Sequence, residues 1–162
     1  MPQKISNYFE EDHDRLDQLF RHFQKTKRTD FARAKEFFRD FKFGLQRHII
    51  WEEEILFPLF EEKTGSASGG PAFVMRLEHR EIGKSLEAIH VRVKNADPNS
   101  DQDEMALLDI LAQHNLKEEN ILYPAIDRLV NDEEVKTVFA AMENIPQERY
   151  AHCCGEEIPV RS

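Results

Sequence analysis

The sequence predicts an all-α protein, an up-down-up-down antiparallel four-helix bundle followed by a short C-terminal helix and an irregular tail. Three observations carry this. Apolar residues recur at intervals of three and four along four long segments, and no segment alternates with the period of two that a strand requires. Short polar turns join those segments, which makes neighbours antiparallel. Finally, His48-Ile-Ile-Trp-Glu52-Glu-Glu-Ile-Leu-Phe-Pro58 returns without a gap as His114-Asn-Leu-Lys-Glu118-Glu-Asn-Ile-Leu-Tyr-Pro124, an offset of 66 residues. The same offset relates His13 to His79, so the chain reads as a duplicated helical hairpin.

The first helix carries Phe9, Leu16, Phe20 and Phe23 on one stripe together with His13; Ser6 or Asn7 is its expected cap, and it runs to about Lys25. After Lys27-Arg-Thr-Asp30, with Asp30 as cap, the second helix presents Phe37, Phe41, Leu45, His48, Glu52, Ile55 and Leu59. Pro58 lacks an amide donor and crowds the preceding turn, so that helix is expected to kink or loosen near its end. Gly65-Ser-Ala-Ser-Gly-Gly70 separates the hairpins, and Pro71 suits the first position of the third helix. Its stripe is Met75, His79, Ile82, Leu86, Ile89 and Val93. Asn95 to Asp101 forms a turn, with Asp101 or Asp103 as the next cap. The fourth helix then turns Leu107, Leu111, His114, Glu118, Ile121, Ala125 and Leu129 inward. The resulting organisation is a bundle over residues 1–145, with hairpin repeats at about 6–62 and 71–130, a short helix at about 132–144, and a tail over 146–162 for which no regular structure is expected.

A chain of 162 residues can bury one substantial core. Its formal charge of −9 argues against a nucleic-acid or anionic-membrane surface. No stretch approaches the roughly 20 apolar residues of a membrane span, and the first residues lack the apolar core of a signal peptide, so a cytoplasmic location is expected. Only two cysteines occur, Cys153 and Cys154, adjacent to each other and to His152. They cannot form a disulfide framework and do not complete a metal shell.

Six residues on the apolar stripes carry the chemistry: His13, His48, Glu52, His79, His114 and Glu118. Residues four apart share a helix face, so His48 with Glu52 and His114 with Glu118 can each reach one site. Burying two glutamates without compensation costs several kcal/mol each, about as much as an uncompensated buried ion usually does, and no lysine or arginine lies on the inner stripes. Metal dications supply the missing charge, and two carboxylates with two oxygens apiece suit a pair of ions. Imidazole and carboxylate ligands suit iron, manganese or zinc; iron, which can use an open position, is the preferred assignment. Asp17 stands four after His13 and is a further candidate oxygen ligand or outer partner. Glu53 and Glu119 point away from the stripe and are expected at the surface or in hydrogen bonds. His22 and His90 are expected to face solvent, and the surroundings of the Tyr123 hydroxyl stay open. No nucleophile or acid-base triad is evident.

The duplicated His…His-x-x-x-Glu-Glu…Leu-aromatic-Pro pattern resembles the hemerythrin-like, or HHE cation-binding, domain over nearly the entire chain. Ferritin-like di-iron bundles order their motif as Glu-x-x-His instead. Gly83 stands four after His79 and Glu118 four after His114, where oxygen-carrying hemerythrins have a histidine and, one residue further on, an aspartate. The set of four histidines and two glutamates is more similar to the di-iron domain of the repair-of-iron-centres proteins. That resemblance implies His13, His48, His79 and His114 as terminal ligands, Glu52 and Glu118 as bridges, and two iron ions joined by an oxo or hydroxo group. It implies binding of, or reaction with, dioxygen, peroxide or nitric oxide in oxidative or nitrosative stress or iron-centre repair, with an electron donor or iron acceptor as partner. Any catalysis is that of an oxidoreductase; a non-catalytic oxygen or metal sensor, or an iron storage or transfer module, is the alternative.

Overall fold

The computed structural model describes residues 3–66 and 69–151, and among these every regular element is a helix, as the periodicity predicts. Four rods form the bundle. The first is α1 (Ile5–Thr26) and the third is α4 (Pro71–Lys94). The second and fourth are each divided: α2 (Phe31–Trp51) continues through a π-helical turn, Glu52–Leu56, into α3 (Phe57–Thr64), and α5 (Asp101–Lys117) continues through Glu118–Leu122 into α6 (Tyr123–Leu129). Helix α7 (Asp132–Glu143) follows, started by a capping box between Asn131 and Glu134. Helix α1 packs along α2, and α4 along α5. Among the described residues no helix is long and apolar enough to cross a membrane.

The π turns are where the prolines act. Pro58 and Pro124 cannot donate to the carbonyl four residues earlier, and their rings crowd it. The chain widens instead, with the Phe57 amide bonded to Glu52 O and the Tyr123 amide to Glu118 O. Each wide turn advances the buried face by one residue. Ile55 and Leu59, expected inside, are only half-buried, while Leu56, Phe57 and Phe60 are buried. In the second copy Ile121 is 60% exposed and Leu122, Tyr123 and Ile126 take its place in the core.

Asp30 caps α2 as expected, accepting from the Arg33 amide. Two other caps differ. Helix α1 begins at Ile5, so Ser6 and Asn7 lie inside its first turn, and the free Ser6 amide donates to the Asp127 carboxylate of α6. Helix α5 is entered from Ser100, while Asp101 pairs with Lys27 and Arg28. Beyond Pro146, where no regular structure is expected, Gln147–Ala151 forms a 3₁₀ turn. It is held because Tyr150 is buried and its hydroxyl accepts from Trp51 Nε1 at 2.9 Å. His152, Cys153 and Cys154 lie outside the described residues.

The core has two apolar clusters. One gathers Ile5, Phe9, Trp51, Leu56, Phe57 and Tyr123 at the proline end; the other gathers Leu16, Phe20, Phe41, Leu45, Ile82 and Leu111 towards the opposite end. Every rod passes from one cluster to the other, and each crosses between them at a histidine.

Candidate metal centre

The six sequence-predicted residues meet in the layer between the two clusters, and all six are buried, Glu52, Glu118 and His79 completely. The side chains obey the two-fold relation of the repeat. His13 and His48 form one pair of rings, 4.7 Å between centroids, and His79 and His114 the other at 4.8 Å. Each glutamate reaches one histidine from each half. Glu52 Oε1 lies 3.5 Å from His48 Nε2 and 3.2 Å from His79 Nε2. Glu118 Oε1 lies 3.2 Å from both His114 Nε2 and His13 Nε2.

A second ring of carboxylates backs the imidazoles. Asp12 Oδ2 is 2.8 Å from His48 Nδ1, and Glu78 Oε1 is 2.9 Å from His114 Nδ1. Longer contacts of 3.5 and 3.8 Å connect Glu119 to His13 Nδ1 and Glu53 to His79 Nδ1. An Nδ1 faced by a carboxylate leaves Nε2 turned inward and makes the ring a better donor there. Asp12 and Glu78 escaped the sequence reading although they are related by the same offset of 66 residues, which is the signal that finds them. Asp17 is half-buried beside His13, and among the described residues it belongs to neither group of metal-capable side chains. His22 is exposed and stacks on Phe37; His90 is half-buried beside Glu87.

The Tyr123 hydroxyl sits at the middle of the site. It lies 2.8 Å from Glu52 Oε2, 3.1 Å from Glu118 Oε1, 3.1 Å from His48 Nε2 and 3.3 Å from His13 Nε2. The π turn before Pro124 puts it there; an unbroken α-helix would have buried Ile121. Its repeat mate Phe57 stacks on His79 at 5.5 Å with the rings 18° apart.

Electrostatics register the crowding of anions. Burial, reinforced by the neighbouring Glu118 charge, raises the Glu52 pKa. Burial also works against the Glu118 charge, but His114 and hydrogen bonds from Glu52, His114 and His13 hold it well below the usual carboxylate range. Burial disfavours charge on His13, yet Glu118, Glu52 and Glu119 outweigh it and lift the ring to about 9. His79 is lifted against burial to about 10 by Glu52, Glu53 and Glu118.

The donor set fits a metal. Glu52, His79, His114 and Glu118 offer atoms within 4.8 Å of one another, and so do His13, His48 and Glu118. Glu118 Oε2 is buried without a hydrogen bond among the described residues, in a layer whose ion pairs are with imidazoles. Such acceptors are costly unless a cation faces them. Above the layer, a cavity of about 20 Å³ touches His13, His48, Glu52, His114 and Glu118. Its apolar wall includes Leu45, Ile49, Ile82 and Leu111. A groove of about 470 Å³ between α1 and α5 shares His13, Asp17, Leu111 and Asn115 with it and opens outward past Glu119.

The family model described as the hemerythrin HHE cation binding domain matches residues 4–126, which takes in all six residues and all but the last turn of the second hairpin. Among curated proteins, the chain is 36% identical over 89 residues to the iron-sulfur cluster repair protein YtfE of Escherichia coli O81 (strain ED1a). It is 35% identical over 89 residues to the protein of the same name from Escherichia fergusonii. In both cases the match covers 49% of this chain and 40% of the relative, under half of either protein. No solved structure matches.

Proposed function

The chain belongs to the hemerythrin HHE cation-binding family, and on that premise we propose that it is a non-haem di-iron protein whose centre binds or reacts with dioxygen, peroxide or nitric oxide, in defence or repair of iron centres. In this reading His13 and His48 hold one ion, His79 and His114 hold the other, and Glu52 and Glu118 bridge them. One observation carries it: each of the two fully buried glutamates lies within 3.5 Å of a histidine from each half, which sets it between the two pairs of rings. When bound, the ions supply one-electron redox chemistry and open coordination for a small ligand.

The protein's own part is positioning and exclusion. Asp12 and Glu78 orient the His48 and His114 rings from behind, and Glu119 and Glu53 place negative charge behind His13 and His79. The cavity of about 20 Å³ has room for one water-sized or diatomic molecule, since about 10–15 Å³ holds a single water. That size favours dioxygen or nitric oxide and disfavours an organic substrate at the centre. The groove beside Asp17 and Asn115 is the approach from outside. The names of the iron-sulfur cluster repair relatives support a role in iron-centre maintenance, with an electron donor or iron acceptor as partner.

The test is metal analysis and an absorption spectrum of protein purified from its native host, followed by addition of nitric oxide to the reduced form. About two irons per chain with a nitric-oxide-dependent spectral change is the expected result. Iron-free protein that refuses iron under reducing conditions would overturn the proposal.

A further inference from the structure

We propose that Tyr123 is itself a ligand, bonded through its phenol oxygen to the ion held by His13 and His48, so that the two ions are chemically unequal; this rests on the di-metal reading above. The phenol oxygen lies 2.8–3.3 Å from donor atoms of four residues, Glu52, Glu118, His48 and His13. A hydroxyl has one proton, and it cannot serve both carboxylates at once. Lone pairs on a phenol, two carboxylates and two imidazoles converging on one point describe a place for a cation better than a hydrogen-bond network. A second observation concerns symmetry. The four rings, the two glutamates and the four carboxylates behind the rings all obey the repeat, whereas Tyr123 faces the His13 and His48 pair and its mate Phe57 covers His79 with an unsubstituted ring.

Binding breaks the phenolic O–H bond, forms one metal–oxygen bond and releases the proton to solvent; no electron changes hands. An additional anionic oxygen favours the ferric state at the His13 and His48 position.

The experiment is resonance Raman and Mössbauer spectroscopy of the iron-loaded, air-oxidised full chain, with iron content measured on the same samples. Wild-type protein should display a visible phenolate-to-iron(III) charge-transfer band, tyrosine ring modes enhanced under it, and two unequal iron signals in a 1:1 ratio. Y123F should keep its iron, lose the band and the ring modes, and bring the two signals together. If Y123F does not fold, ring-deuterated tyrosine in the wild-type chain decides, because ligand modes must shift on labelling. Two irons per chain without tyrosine modes would overturn this inference and leave the di-iron reading standing. Less than one iron per chain after loading would overturn both.

Discussion

Replacing Asp12 by asparagine tests whether the carboxylates behind the rings govern the centre. Asp12 is 8% exposed, its Oδ2 lies 2.8 Å from His48 Nδ1, and Arg15 holds its Oδ1 at 2.7 Å. Burial alone would raise its pKa, but His48 and Arg15 draw it down to about 2, so it is charged at neutral pH. Asparagine keeps the shape and an acceptor oxygen while removing the charge that makes His48 a stronger donor. Losing such an outer partner weakens metal binding by about 10–100-fold, roughly 1.4–2.7 kcal/mol. Because the acceptor survives, D12N belongs at the lower end, near tenfold, and D12A at the upper. Glu78 is 23% exposed and shares its charge with Lys117, so E78Q should weaken the other position by less than about tenfold through solvent screening. The assay is a chelator-competition titration with ferrous iron, in which wild type resolves or fits two binding steps. D12N should shift one step and E78Q the other. Unchanged steps in D12N, or an equal shift of both, would refute the reasoning.

Three further outcomes follow from named contacts. E52Q should remove most of the rise in melting temperature that metal gives, worth about 2.7 kcal/mol at a hundredfold excess over Kd; an undiminished rise would contradict this. K27M should cost about 3–5 kcal/mol in urea denaturation, since it strands buried Glu104 without its cation, and K27M/E104L should recover much of the loss. Asp101 has its pKa lowered by hydrogen bonds from Arg28 and Lys27, so its stabilising contribution is present above the unfolded carboxylate value of 3.8 and fades as pH falls below it. Acid-unfolding curves should therefore be shallower in D101N than in wild type.

The bundle and the six central residues were legible because both depend on periodicity and repetition. A histidine on an apolar stripe, copied at a fixed offset beside a glutamate, needs no knowledge of loops. The misplaced core residues of the second and fourth rods share one cause. Helical periodicity assumes 3.6 residues per turn throughout, and the proline-induced π turns break that assumption after Glu52 and Glu118. Ile121 therefore falls on the surface, and Tyr123 swings into the centre. Asp12 and Glu78 sit next to His13 and His79 instead of on the stripe, so only a residue-by-residue comparison of the two copies reveals them. The turn at Gln147–Ala151 depends on Trp51, about a hundred residues earlier in the chain, and local pattern carries no trace of it.

Anomalous diffraction at the iron edge, from crystals of the iron-loaded chain, measures the central claim directly. Two peaks are expected about 3.5–4 Å apart, one beside His13 and His48, the other beside His79 and His114, with Glu52 and Glu118 spanning them. A single peak, or none with the imidazoles paired straight to the carboxylates, would contradict it.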